Sequence, residues 1–111
     1  MEILVRRIEF KGHILEFFVE NEFEIRVNLL SSKDPTMVDS NLVTIDSYTE
    51  TIGAEMDEES GEVTITESRT DFAQRAVTKA GMWAEDCLEE RKRAMLLVKE
   101  LQTLLPKNAE H

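Results

Sequence analysis

RTDFAQRAVTKAGMWAEDCLEERKRAMLLVKELQTLL, residues 69–105, carries the one sustained long-range pattern in this chain. Steps of four and three link Ala73, Val77, Ala80, Ala84, Cys87, Arg91, Ala94, Val98, Leu101 and Leu105 into a heptad-like seam interrupted only by Arg91. Ala76, Trp83, Leu97 and Leu104 run along one flank, Leu88 and Met95 along the other. The stripe is wider than a two-stranded coiled coil requires, which predicts a helix that covers a sheet as well as another helix. Ser68 with Asp71 three residues on forms a capping-box-like start, and Pro106 marks the stop because it cannot extend a helix.

About 37 helical residues at 1.5 Å each span roughly 55 Å, whereas a compact chain of this size has a radius of gyration near ~13 Å. Such a helix overhangs its own domain, so either it breaks or another subunit covers the excess. Gly81 is the one candidate break; a Schellman-type end there would bring Met82 against Val77 and leave two helices, 69–80 and 83–105. The four-three spacing passes Gly81 without a phase change, and no Ser, Thr, Asp or Asn stands at 82–84 to cap a second helix. A continuous or kinked helix is therefore the favoured reading.

Upstream, Leu4, Ile8 and Phe10 alternate in a first strand, Leu15, Phe17 and Val19 in a second, and Phe23, Ile25, Val27 and Leu29 in a third. Lys11-Gly12 is a two-residue turn that sets Phe10 opposite His13, Ile8 opposite Leu15 and Leu4 opposite Val19. A three-residue loop of Glu20, Asn21 and Glu22 sets Val19 opposite Phe23, Phe17 opposite Ile25 and Leu15 opposite Val27. The reverse face, with Glu16, Glu20, Glu24 and Arg26, reads as largely wet, and Phe18 is its exception. Asp34-Pro35 lies in a loop from Ser31 to Met37. Residues 42–56 and 63–66 then form a second hairpin, with Met56 near Val63 and Ala54 near Ile65. The fold class predicted is α+β: a five-stranded antiparallel sheet, a meander plus a second hairpin, under the long helix. One domain accounts for residues 1–111, with the sheet in 1–67, the helix or helix pair in 68–105 and a frayed tail in 106–111.

The 111 residues carry a net charge of -10 with 41% hydrophobic residues. Residues 1–30 contribute -2, 31–68 contribute -9 and 69–111 contribute +1, so the acidity belongs to the middle of the chain. A nucleic-acid backbone is repelled there, which argues against direct nucleic-acid binding. No run of eighteen apolar residues occurs and the N-terminus alternates too strictly for a signal peptide, which reads as a soluble, cytoplasmic protein with no membrane role. Cys87 is single and lies on the apolar stripe, where it reads as a small core residue.

No nucleophile has a base at recognisable spacing, four glycines build no phosphate loop, and the histidines stand at a turn and at the terminus. The reading is non-enzymatic, with no cofactor. The acidic glycine loop at 57–61 has Met56 where a calcium loop would need its first Asp, so it reads as a solvated hairpin tip and no metal is expected. Three candidate surfaces remain. Asp46, Glu50, Glu55, Asp57, Glu58, Glu59, Glu62 and Glu67 form an acidic face, either a phosphate mimic for a basic groove on a partner or plain solubility and edge protection. Arg69, Phe72, Arg75, Lys79 and Trp83 gather at the helix start, either as an exposed basic edge beside a core aromatic, the commoner case, or as the place where an anionic, ring-bearing ligand such as a nucleotide would settle. Arg91, Val98, Leu101, Leu104 and Leu105 lie where the helix outruns its sheet and form the expected homo-oligomer interface.

The layout, a small antiparallel sheet followed by a long C-terminal helical segment that needs a partner chain, resembles small phage-encoded anti-defence proteins, including the anti-Thoeris sponges that sequester nucleotide signals. It covers the whole chain, and no binding residue is carried over with it. The resemblance implies a non-catalytic oligomer in the host cytoplasm that captures a nucleotide-like signal or a host protein stoichiometrically.

Overall fold

A computed structural model describes residues 2–31 and 43–106; the Asp34-Pro35 loop and the tail beyond Pro106 lie outside the described residues. The architecture is α+β. Strands β1 (Ile3–Phe10), β2 (His13–Asn21), β3 (Glu24–Ser31) and β4 (Val43–Thr51) form an antiparallel sheet in chain order, β5 (Ala54–Met56) and β6 (Val63–Ile65) form a separate two-stranded sheet, and α1 (Arg69–Leu104) follows. The expected single five-stranded sheet is thus two sheets. The cause lies at Gly53, which ends the long strand read across 42–56: a Cβ there would meet the Glu67 Cβ at 3.1 Å, while the Gly53 amide donates to Glu67 Oε1 at 2.8 Å. Ile52 makes the last bond to the main sheet, its amide donating to the Phe23 carbonyl at 2.9 Å. Beyond it the chain turns away to build the hairpin, in which Met56 pairs with Val63 and Ala54 with Ile65 as expected.

Both expected meander registers need a correction. Lys11 and Gly12, at φ 50° and 80°, form the mirror-image turn that a two-residue hairpin needs, and Phe10–His13 and Ile8–Leu15 pair as read. Past Arg6 a bulge intervenes, so Val19 meets Ile3 and Leu4 meets Phe18. In the next hairpin Leu15 pairs with Leu29, Phe17 with Val27 and Val19 with Ile25, two residues away from the expected register. Asn21 decides it: its Oδ1 accepts from the Phe23 amide at 2.8 Å and its Nδ2 donates to Glu24, closing a turn at Glu22-Phe23 instead of a longer loop. A slip of two preserves every facing in β2 and β3, so their apolar face was read correctly while its partners were not, whereas the β1 bulge moves Leu4 from the expected apolar face to the reverse face beside Phe18.

That face carries Leu15, Val27 and Leu29, all fully buried against Ala80 and Ala84 of the helix, with Phe17, Ile25, Ile45 and Tyr48 around them. The reverse face is less wet than expected. Ile14 and Leu30 are buried there, Glu16 is buried and ion-paired to Arg7, and Arg26 pairs with Glu2 and Glu20 while stacking on Phe18.

α1 is unbroken through Gly81. Ser68 caps it, its hydroxyl accepting from the Asp71 amide at 3.1 Å. The buried stripe is not the expected seam in its first half: Phe72, Ala76, Ala80 and Ala84 are buried, whereas Ala73 and Val77 are exposed. Steps of four advance by more than one turn, so this stripe winds slowly around the helix and follows a twisted sheet, whereas the four-three alternation suits a second helix. Alanine at three of the four positions lets the helix axis approach the strands closely. Beyond Leu88 every described helix residue is exposed. The radius of gyration, 19.0 Å, and a longest dimension of 63 Å record the overhang.

Nothing lies within 4 Å of a Cβ built on Gly81. Gly81→Ala should therefore raise the unfolding free energy by about 1 kcal/mol, the helix-propensity difference, with no steric cost; urea denaturation measures it, and a loss of stability would show that the helix is not continuous at that point.

Candidate functional site

Four residues along a helix advance about 6.0 Å and two along a strand about 6.6 Å, so a helix lying antiparallel on a strand can match side chains at those two steps. β4 and α1 do this. Asp46, Tyr48 and Glu50, which alternate onto the helix side of β4, meet Cys87, Trp83 and the pair Lys79 and Arg75. Cys87 Sγ donates to Asp46 Oδ2 at 3.5 Å, the Tyr48 and Trp83 rings lie 4.5 Å apart and tilted by 49°, and Lys79 Nζ lies 3.1 Å from Glu50 Oε1.

Arg75 is the centre of the cluster. Its Nε and Nη2 grip both oxygens of Glu67 at 2.9 and 2.8 Å, Nη2 also donates to the Thr51 carbonyl at 2.9 Å, and Nη1 donates to Glu50. The guanidinium lies 5.3 Å from the ring centre of Phe72, which is buried beneath it. Bidentate carboxylate contacts of this kind are among the stronger surface interactions because both fork donors are aligned.

The electrostatics follow from these contacts. The Arg75 hydrogen bonds, with help from the Gly53 amide, hold the Glu67 carboxyl down to about 2, and Glu67 in turn raises the Arg75 guanidinium above its ordinary value. Burial, then the Glu50 charge, pushes the Tyr48 phenol up to about 12. Burial and the Asp46 carboxylate push the Cys87 thiol up to about 11, which makes it a poor nucleophile at neutral pH.

Of the five residues expected to take an anion, four are brought together and one is not. Phe72, Arg75, Lys79 and Trp83 share the helix face toward β4, while Arg69 is exposed with no ion pair among the described residues. Of the assembled four, Arg75 and Lys79 are already engaged with carboxylates, Trp83 with Tyr48, and Phe72 with the Arg75 guanidinium. Glu50 and Glu67, read as parts of an acidic face, are the missed partners, and Asp46 joins them. A signal was available: 46–50 alternates polar residues onto the face that a helix covers, where an apolar strand is the ordinary choice. The acidic surface that remains belongs to the β5–β6 hairpin. Glu55, Asp57, Glu58, Glu59 and Glu62 are all exposed there and make no ion pair among the described residues. Asp57 Oδ1 accepts from the Glu59 and Ser60 amides and shapes the tip.

Two apolar surfaces complete the inventory. A groove of about 440 Å³ opens between β1, β2 and the first half of the helix, lined by Val5, Ile8, Phe17, Val19, Ala73 and Val77. The expected interface residues all lie on the overhang: Val98 is 36% exposed, Leu101 49%, Leu105 59% and Leu104 78%, with Arg91 exposed beside them. Among the described residues no group of three or more His, Cys, Asp or Glu is placed to hold a metal, and no helix is long and apolar enough to cross a membrane.

Compared with known proteins, the chain matches no family model, no curated protein and no solved structure.

Stability should report the clamp through pH. A carboxyl whose folded value is depressed contributes stability that is fully present above its unfolded value of 4.5 and is lost as pH falls toward about 2. Wild-type protein should thus lose stability across that window, and Glu67→Gln should flatten this part of the profile in denaturation measured from pH 6 to pH 2. Arg75→Ala should destabilise at neutral pH by about 1–3 kcal/mol, because it leaves buried Glu50 with Lys79 alone. An unchanged unfolding midpoint in that variant would show the clamp to be energetically idle.

Proposed function

We propose that this chain is a non-enzymatic binding protein that works as a homo-oligomer and acts by occupying its target. The observation that carries the reading is the helix overhang. From Ala94 to Leu105 apolar residues recur on the side of the helix that the sheet covers upstream, and no part of the described chain covers them. A monomer would keep Met95, Leu97, Val98, Leu101, Leu104 and Leu105 in water at a cost of about 1.5–3 kcal/mol each relative to burial. A stripe of this size and continuity is an association surface. Stoichiometric occupation is also the mode that the layout's resemblance to anti-defence sponges implies.

The target-facing element in this reading is the acidic hairpin, and a specific observation favours it over the helix start. The hairpin carboxylates have no internal cation partner among the described residues, whereas the guanidinium that would receive a nucleotide phosphate already bonds Glu67, Glu50 and the Thr51 carbonyl. A nucleotide at the helix start would have to displace those contacts. A basic groove, by contrast, finds five exposed carboxylates at the hairpin with no cation partner among the described residues. The protein is thus better suited to block a nucleic-acid-binding or otherwise basic host protein than to sequester a small anionic signal.

Two measurements test the reading. Val98→Asp with Leu101→Asp should weaken self-association at least about a hundredfold, since each exchange removes on the order of 1.5–3 kcal/mol of burial; wild-type protein sedimenting as a monomer at micromolar concentration would overturn the oligomer. Replacing Glu55, Asp57, Glu58, Glu59 and Glu62 by Gln should abolish binding to a basic target and remove its steep salt dependence. Retained affinity in that variant, together with nucleotide binding by calorimetry, would return the function to the helix start.

A further inference from the structure

We infer that the overhanging helices of two copies pair antiparallel about a two-fold axis level with residue 96, so that the last turn of each helix abuts the end of the other copy's sheet. The inference rests on the homo-oligomer reading above and specifies its partner, direction and register.

The sheet determines the direction. The stripe that faces the sheet through Phe72, Ala76, Ala80 and Ala84 continues on the same side of the helix as Ala94, Val98, Leu101 and Leu105. A partner helix laid on the overhang therefore lies in line with the sheet, as if extending it. Were that partner parallel and in register, its first half would run through the space that β2, β3 and β4 already fill. Reversed, its free end meets the sheet and its own sheet lies beyond the end of the first helix. Arg91 gives the same answer independently: in a parallel pair two Arg91 side chains share one layer of the seam, whereas in the reversed pair each Arg91 lies against an apolar residue and carries its charge outward.

The register comes from where cover ends. The core packs against Cys87 and Leu88, both half-buried, and against no helix residue beyond them; the helix ends at Leu104, with Leu105 as its cap. Setting Leu105 of one copy level with Cys87 of the other centres the pair on residue 96. The layers are then Cys87 with Leu105, Arg91 with Leu101, and Ala94 with Val98, each occurring twice, while Met95 and Leu97 meet their own counterparts beside the axis. The small Ala94 opposite Val98 brings the two helices close at the centre. The overlap of about 18 residues is roughly 27 Å long, so neither sheet contacts the other.

The area agrees with a stable dimer. The accessible surface is 8589 Å², whereas a compact chain of 12.8 kDa exposes about 6,300 Å². The excess, roughly 2,300 Å², is spread over the whole elongated molecule, of which the overhang is one part, and is larger than the ~800 Å² that each partner contributes to a standard interface.

Directed cross-linking tests direction and register together. In a Cys87→Ser background, Ala94→Cys protein and Val98→Cys protein are oxidised separately and after mixing and subunit exchange, then run on non-reducing gels, with sedimentation of each variant alongside. The antiparallel register predicts a disulfide-linked dimer in the mixture, involving up to half of the chains, and none from either variant alone, because like positions lie a full turn apart. Dimer from each variant alone would mean parallel pairing and overturn the inference. No cross-link in a mixture that still sediments as a dimer would overturn this pairing while leaving the homo-oligomer reading standing. Monomers throughout would overturn both.

Discussion

A nine-residue strand reaches about 30 Å and a 36-residue helix about 54 Å, and the two are joined in this molecule without a fold-back. This mismatch governs the rest of the structure. The sheet covers the first half of α1 completely enough to bury Phe72, Ala76, Ala80 and Ala84, and it can do nothing for the second half. Among the described residues nothing covers the sixteen helical residues from Glu89 to Leu104, so the uncovered stripe is a consequence of the fold. The continuous backbone through Gly81 maintains the mismatch, since a break there would let the distal half fold back on the open side of the sheet.

The covered half is held by two different kinds of contact. On the side of β2 and β3 the helix rests on Leu15, Val27 and Leu29 through alanines, a close and non-directional contact. On the side of β4 it is held by the polar ladder from Asp46–Cys87 to Glu50–Arg75, in which each partner has a matched position along its own element. The apolar contact provides most of the stabilisation, but it tolerates sliding, because one alanine resembles the next. The ladder does not tolerate it: a shift of the helix by one turn would take Arg75 away from Glu67 and Glu50 and separate Trp83 from Tyr48. The charged residues at the helix start are therefore best understood as the devices that set the position of the helix on the sheet, and the exposed half inherits its position from them.

Local pattern made much of this legible. The Lys11-Gly12 turn, the Met56–Val63 hairpin, the Ser68 cap, the α+β class and the apolar face of the meander all follow from spacing and turn chemistry that act over a few residues. What escaped was set by contacts distant in sequence or by a single side chain. The register of β2 on β3 depended on the Asn21 side chain choosing a tighter turn, and alternation cannot report a slip of two. The winding of the buried stripe depended on what the helix packs against, and the four-three seam describes only the half that the sheet does not cover. Arg75 looked like a ligand residue because a helix start rich in Arg and Lys attracts anions; the anions it attracts are Glu67, eight residues earlier, and Glu50, twenty-five residues earlier.

A net charge of -10 opposes self-association when it is spread evenly. Its distribution removes the conflict. Residues 69–111 carry +1 between them, so the overhang itself is nearly neutral, while Glu55, Asp57, Glu58, Glu59 and Glu62 concentrate exposed negative charge in the β5–β6 hairpin. That hairpin joins the helix through Glu67 and Ser68, at the end opposite the overhang. Two copies joined antiparallel by their distal halves would hold their hairpins at opposite extremes of the assembly, much farther apart than the ~8 Å over which charges act at physiological salt. In such an assembly the acidity would face a basic partner at both ends without weakening the centre. Under the proposed reading, an apolar, near-neutral association surface held apart from a remote acidic one suits a bivalent binder, and a single helix longer than its sheet supplies that separation.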